Sequence, residues 1–477
     1  MLSRKHTSTI VGFLLICSLF LMHGCSSGTP VEPEKSVNTL VKPTVQPTAT
    51  KRAGVTEEPQ STTALESIDF TLSPTHKPFA EDLRIKFQSA VDEEFSAIES
   101  KSGISVAVYT GDLLWTYATG KASESRTLTD KTPMMISSTS KTFLSALILI
   151  QINKGLYALT DSLETVLSDH PDFLSLPHDK ININVTVQDL LAMSSGLPNY
   201  NANSEGKSEL IKNPVWKPSD LINLVQTSYV DPGTFEYNDT NVVLLGMIAE
   251  VHSGKQLADL FRETFYDPLS ITAITLPEEG IPWHSNITYD LGDQLTTPHM
   301  AMPYGDLSPW SSGYGNIIDA APFEFGYYIG AIGRNRYACC GIISTPSNMA
   351  RWAYELYSAN GSAVPESVRN ELLNSFSEES IPPWSSSKQP GVIPEQYGYL
   401  SAKKAFQITA DQTITAYGHL GGGAGYSAWM HYAPQADMAI SILANSVFKV
   451  MGTCETENPG NCIVEKILAT YLETSKG

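Results

Sequence analysis

Positive charge is what this chain has least of. Its 31 Lys and Arg face 50 Asp and Glu, a formal net charge of -19 at pH 7. Too few cations remain to neutralise a run of phosphates, which excludes nucleic acid as a partner and disfavours electrostatic docking on anionic lipid. Cysteine is scarce as well, 6 in 477 residues. No Cys/His grouping has zinc-finger spacing, so no metal site and no cofactor are expected. No internal repeat is visible. Apolar residues are plentiful, at 42% against 17% charged. At this length, they imply two folded regions or one large α/β unit.

A long apolar run is also missing from the start of the chain. Arg4 and Lys5 precede an apolar stretch from Ile10 to Met22, and Gly24-Cys25 closes it. The stretch is short for a membrane-crossing helix and reads as a secretion signal over residues 1–25. It resembles a bacterial lipoprotein cleavage site, which implies an exported chain lipid-anchored to the cell envelope through Cys25. Residues 26–80 are rich in Pro, Thr, Ser and Val without helical or strand period, and are expected to form a disordered tether. Cys454 and Cys462 flank the turn signal Asn458-Pro459-Gly460, and in an exported chain they make a plausible small-loop disulfide. Adjacent Cys339 and Cys340 are expected to be buried thiols rather than a vicinal disulfide.

Structure is expected from about Ala80. Leu83, Phe87, Val91, Phe95 and Ile98 recur at helical intervals. Ile104–Tyr109 and Leu113–Tyr117 flank the turn Thr110-Gly111-Asp112 as a β-hairpin. Near the other end, 427–432 and 438–443 read as strands around Pro434–Asp437, and 463–472 as a closing helix. The expected fold is α/β (α+β), an antiparallel sheet built from both chain ends and flanked by helices. The sheet region is 81–125 with 335–477, and a helical region, 126–334, is inserted between. Residues 280–330 give no clear pattern.

Chemistry concentrates at Ser138-Thr139-Ser140-Lys141. A serine at a helix start has a free first-turn amide, and a lysine three residues on lies on the same face within reach of its hydroxyl. A lysine whose pKa is lowered by burial or neighbours can take the serine proton. The same spacing occurs at Ser204/Lys207, Ser385/Lys388, Ser401/Lys404 and Ser446/Lys449. Only Lys141 opens a long apolar helix, Thr142–Ile150.

The segment Met134–Phe143 resembles the nucleophile segment of the penicillin-recognising group that includes class C β-lactamases, D-alanyl-D-alanine peptidases and esterases. Asn153–Asp161, Val185–Pro198 (ending Ser-Gly-Leu-Pro), Pro232–Gly246, Cys339–Trp352 and Gly418–Ser427 are similar to further blocks of that group, in the same order. The resemblance implies a β-lactamase/transpeptidase-like fold, with Ser138, Lys141 and Tyr237 as catalytic residues. It also implies an oxyanion hole from the amides of Ser138 and Gly422, with Gly421, His419 and Asp239 around the substrate. His419 is expected to offer positive or donor character to a carboxylate, and Tyr237 to shuttle protons with a pKa shifted by the nearby cation. Two positions depart from the pattern. Asp239 stands where Asn is usual, although Tyr314-Gly315-Asn316 keeps the tripeptide elsewhere. Leu420 replaces the hydroxyl residue that often binds a substrate carboxylate.

The implied activity is hydrolysis of a small-molecule or peptide amide or ester through a Ser138 acyl-enzyme. D-Ala-type peptides and carboxylic esters are favoured over β-lactams. A β-lactam receptor that stays acylated, and a surface-binding protein without chemistry, are the alternatives. Nothing in the sequence sets an oligomeric state.

Overall fold

The computed structural model describes residues 69–98, 102–123, 126–212, 216–275, 301, 337–385, 394–409, 411–423, 425–446, 452–454 and 458–474. Cys25 with the signal stretch, residues 26–68 of the expected tether, and Tyr314-Gly315-Asn316 lie outside them.

Both ends of the folded chain contribute to one antiparallel sheet of seven strands, in the order β2-β1-β10-β9-β8-β7-β6. The N-terminal hairpin supplies β1 (Gly103–Tyr109) and β2 (Leu114–Gly120). After the inserted region come β6 (Gln396–Tyr397), β7 (Ala402–Thr409), β8 (Gln412–Gly423), β9 (Tyr426–Ala433) and β10 (Met438–Ala444). The pairing of Val106 with Ile442 closes the ends of the chain on each other.

Every residue of β1 and β10 is buried, as expected for strands covered on both faces. Ile104, Val106, Val108, Ile440 and Ile442 pack into the layer of helices α1 (Glu81–Ala97) and α5 (Pro459–Thr474), against Phe87, Val91, Ile463 and Ile467. Ala107, Tyr109, Ala439 and Leu443 face a second cluster containing α2 (Lys141–Asn153), α3 (Asp239–Ser253) and α4 (Pro346–Tyr357). Short strands β3 (Met134–Met135), β4 (Ile274–Thr275) and β5 (Ile342–Ser344) form a small sheet in the order β3-β5-β4.

Two boundaries differ from expectation. Residues 69–79 belong to the fold rather than to a tether running to residue 80. Phe70, Leu72 and Phe79 are buried, the Phe70 carbonyl accepts from Asn348 Nδ2 at 2.8 Å, and Leu114 N donates to Lys77 O at 2.9 Å. These apolar side chains repay the ordering entropy that the Pro/Thr/Ser stretch before them cannot. Asn458-Pro459-Gly460 is not a loop turn but the start of α5, with Pro459 as its first residue. Asn458 Oδ1 accepts from Asn461 N at 3.0 Å, in keeping with the preferences of a helix start. Cys454 and Cys462 are disulfide-bonded, and their Cα atoms are 5.7 Å apart.

Helix α2 is buried on all sides from Lys141 to Gln151, the mark of a central helix. Trp352 of α4 fixes its first turn. Its ring stacks on Phe143 with centroids 3.8 Å apart, and its Nε1 donates to Thr142 Oγ1 at 2.9 Å. Truncation there removes a fully buried indole and leaves a cavity, so Trp352→Ala is expected to cost about 3–5 kcal/mol. Urea unfolding against the parent chain measures this, and a loss within error of zero would contradict the role given to the stack.

Candidate active site

Ser138 lies in a 3-10 turn, Ser137–Ser140, that leads directly into α2. The turn is held from both sides. Ile136 N donates to Ile342 O at 3.0 Å, and Ile342 N donates to Ser140 Oγ at 3.3 Å. Strand β8 closes over it. A Cβ on Gly421 would stand 2.1 Å from the Ile136 carbonyl oxygen, so only glycine allows the strand this close to the turn. Strand β7 accompanies β8 no further than Gly418, whereas β9 pairs with it to Gly423. The edge of β8 from His419 to Gly423 is therefore not covered by β7.

The expected pair forms. Lys141 Nζ donates to Ser138 Oγ at 3.0 Å and to the Cys339 carbonyl at 3.3 Å. It lies 5.0 Å from the centroid of the Tyr237 ring. Tyr237 immediately precedes the Asn238 cap of α3, where Asn238 Oδ1 accepts from Thr240 N at 2.8 Å. The Ser-Gly-Leu-Pro block supports this segment: Gly233 N donates to Ser194 O at 2.7 Å and Glu236 N to Met193 O at 2.8 Å. Ser195 Oγ donates to Asn241 Oδ1 at 2.6 Å. Two blocks far apart in sequence thus form one frame for the tyrosine.

The electrostatics differ from expectation at four residues. Asp239 was expected beside the substrate, but its Oδ1 makes an ion pair with Lys141 Nζ at 2.8 Å. Its other oxygen accepts from Asn201 Nδ2 at 2.7 Å. Lys141 was expected to be a lysine of lowered pKa. Burial alone would lower it, but the Asp239 carboxylate, with smaller contributions from Cys340 and Tyr237, holds it well above the usual lysine range. Tyr237 is pushed up by burial, which outweighs the pull of Lys141 towards a phenolate. Both acids are therefore protonated at neutral pH.

His419 was expected to present positive or donor character to a carboxylate, but it is fully buried. Its Nε2 lies 2.9 Å from Tyr397 OH and its Nδ1 bonds the Leu420 carbonyl. That network assigns the proton to Nδ1 and makes Nε2 the acceptor. Burial, with repulsion from Lys141, pushes its pKa down to about 3. The ring is neutral and supports the interior of β8.

Cys339 and Cys340 are buried and not disulfide-bonded. Cys340 Sγ is 3.7 Å from Ser138 Oγ and 3.8 Å from Lys141 Nζ, and burial pushes the Cys339 thiol up. Asp239, Cys339 and Cys340 bring oxygen and sulfur atoms within 4.8 Å of one another, and the ammonium of Lys141 is the cation beside them.

Ser138 opens onto a cleft of roughly 340 Å³ lined by Tyr237, Trp384, Leu420, Gly422, Trp429 and Asn458, among others. A Cβ at Gly422 would meet nothing within 4 Å. Trp429 is held by a bond from its Nε1 to Asn458 Oδ1 at 2.8 Å. Trp384 Nε1 donates to Glu395 Oε1 at 3.0 Å, and its ring packs edge-on against Tyr237 with centroids 4.9 Å apart. Sequence reading missed Trp384, Trp429, Asn458 and Asn201. The Pro-Pro-Trp sequence at 382–384 was a usable signal for the first of these.

Fold and site together are those of a β-lactamase-type protein, and the Beta-lactamase family model matches residues 90–456. The chain belongs to the β-lactamase family and so to a family of β-lactamase-fold hydrolases. Over 205 residues it is 25% identical to an unguisins hydrolase of Aspergillus campestris, a match covering 40% of this chain and 37% of that protein. The chain thus spans little more than a third of that relative's length. Its fold is similar to that of D-amino acid amidase from Ochrobactrum anthropi SV3, solved with L-phenylalanine amide, at a TM-score of 0.63 and 19% identity. That likeness covers 83% of this chain and 100% of the amidase. A D-stereospecific amidohydrolase from Streptomyces sp. is similar at a TM-score of 0.57 and 18% identity, over 80% of this chain and 97% of that one. At such identities the likeness speaks for the fold, and it bears out the β-lactamase/transpeptidase-like architecture expected from the sequence.

The neutral His419 gives a direct test. Its folded pKa of about 3 lies below the ordinary value of 6.5. In that window the unfolded chain binds the extra proton, so stability present above pH 6.5 is lost as pH falls. The loss for this group is about 1.4 kcal/mol for each pH unit within the window. NMR of ring-labelled histidine should show the His419 signals unmoved between pH 8 and pH 5. A midpoint near 6.5 would mean that the ring is reachable by solvent and able to meet a carboxylate.

Proposed function

We propose that this chain hydrolyses amides or esters by acyl transfer to Ser138. Lys141 is the proton partner of Ser138, Tyr237 passes the proton to the leaving group, and the amides of Ser138 and Gly422 stabilise the oxyanion. The observation that carries this reading is the 3.0 Å hydrogen bond from Lys141 Nζ to Ser138 Oγ at the floor of a cleft beside the uncovered edge of β8. Water then releases the acid and restores the serine.

Two features favour an amide or ester over a substrate anchored by a carboxylate. His419 is buried and neutral, and Leu420 stands in the cleft where a hydroxyl would be needed. Among the described residues, the cleft lining includes no Lys, Arg or His. Trp384, Trp429 and Tyr237 suit a large apolar side chain on the acyl portion. A D-amino acid amidase shares the fold, which makes D-amino-acid amides the first substrates to try.

We further place the protein outside the cytoplasm, lipid-anchored through Cys25, on the pattern of its first 25 residues. Metabolic labelling with a fatty acid, lost in Cys25→Ala, tests this. No label on the parent chain would refute it.

Ser138→Ala is expected to lower kcat by at least about 10⁴-fold and to abolish the fluorophosphonate adduct seen by intact-mass spectrometry. Survival of both would remove Ser138 as nucleophile. In a panel of nitrocefin, a D-Ala-D-Ala peptide, D-phenylalanine amide and a short nitrophenyl ester, the amide and the ester should turn over fastest. Preference for nitrocefin would reverse the substrate assignment.

A further inference from the structure

Ser138 needs a proton acceptor, and its immediate neighbours do not supply one at rest. Lys141 donates to the serine oxygen rather than accepting from it, Tyr237 is a neutral phenol, and Cys340 is a thiol. One step further lies a base. Asp239 Oδ1 is 2.8 Å from Lys141 Nζ, so close polar contacts run from Ser138 Oγ through Nζ to a carboxylate, a hydrogen bond on the serine side and an ion pair on the aspartate side. The carboxylate is steadied on its far side by Asn201 Nδ2 at 2.7 Å, and Asn201 Oδ1 accepts from Lys207 Nζ at 3.1 Å. Asn201 is thereby oriented to donate to the carboxylate.

Resting on the reading that Ser138 is the nucleophile, we propose that Asp239 is the terminal proton acceptor of a Ser138–Lys141–Asp239 relay. As Ser138 Oγ bonds the substrate carbonyl carbon, its O–H bond breaks and the proton moves to Lys141 Nζ. In the same step one of the ammonium protons passes to Asp239 Oδ1. Lys141 begins and ends as an ammonium. Asp239 becomes a carboxylic acid, and the negative charge moves to the substrate oxygen. When the tetrahedral species collapses, Ser138 Oγ stays in the acyl bond; the Asp239 proton passes back to Lys141 Nζ, and Tyr237 hands a proton to the departing nitrogen or oxygen and is reprotonated from Nζ. Water repeats the cycle on the acyl-enzyme.

The other groups facing Asp239 and Lys141 do not compete. They are Tyr237 ahead of α3, Cys339 and Cys340 on the 337–340 turn, His419 on β8, Tyr397 on β6, and Lys207 beyond Asn201. His419 is engaged at both nitrogens, and the tyrosines are raised by burial. An asparagine at position 239 would offer Lys141 an uncharged acceptor but has no place for the proton. Lys141 would then have to act as a free amine.

The test compares the pH dependence of Ser138 labelling by a fluorophosphonate, and of amide hydrolysis, in the parent chain, Asp239→Asn and Asp239→Glu. In Asp239→Asn the rate at pH 6 should fall at least about tenfold more than the rate at pH 9, because only the deprotonated fraction of Lys141 can act. Asp239→Glu should restore the parental profile shape at a reduced rate. A uniform loss across pH in Asp239→Asn, or an unchanged profile, would overturn the relay and leave Asp239 as a structural partner of the lysine. A proton inventory of the parent chain in mixed light and heavy water needs no variant. Two protons in flight predict a curved dependence, and a straight line would also overturn the relay. If the parent chain takes no label at Ser138, it is the acyl-enzyme reading that fails, so the two failures are distinguishable.

Discussion

A charged ammonium taken fully out of water costs several kcal/mol unless partners replace its hydration. Lys141, with no exposed surface, is such a group. Its four partners come from three separate stretches of chain. Asp239 brings the opposite charge, Cys339 a carbonyl, Ser138 a hydroxyl and Tyr237 the face of a ring. None is near enough in sequence, apart from Ser138, to be placed without the whole fold. The ammonium in turn keeps Ser138 hydrogen-bonded and adds its repulsion to the burial that keeps His419 neutral.

The fold can be read as the means of holding that cation and the serine at the edge of a strand. The sheet joins the two chain ends, and the inserted region delivers α2 and α3 against it. The small β3-β5-β4 sheet and the backbone bond between Ile136 and Ile342 fix the nucleophile turn to the segment that carries Cys339 and Cys340. Gly421 lets β8 come down on the same turn. Where β7 stops at Gly418, the strand edge next to Ser138 is left for another chain or a substrate backbone to pair with.

Much of this was legible beforehand. The spacing of Leu83, Phe87 and Val91 foretold α1, and the hairpin around Thr110-Gly111-Asp112 forms as read. Both C-terminal strands form where they were read, on either side of Pro434–Asp437. The Ser138-Lys141 pair is a local feature, three residues apart on one helical turn, and it too could be read from spacing. The errors share one cause. The motif points to His419 as a positive or donor group for a carboxylate, but Tyr397 and the Leu420 carbonyl take both of its nitrogens. Asp239 was set beside the substrate from its place after Tyr237, but its side chain turns to the lysine instead.

What the sequence determined by itself is local or periodic: the helix that carries Lys141, the strands, the serine three residues before it, and a set of blocks whose order marks the family. Burial, protonation and the walls of the cleft were decided only by tertiary structure. Trp384 and Trp429 stand 45 positions apart and meet one cleft, and Asp239 reaches a lysine 98 positions earlier. The reason is physical. A dihedral preference or an apolar period acts over a few residues, whereas desolvation and charge pairing depend on every atom within a few ångströms, whichever part of the chain supplies it.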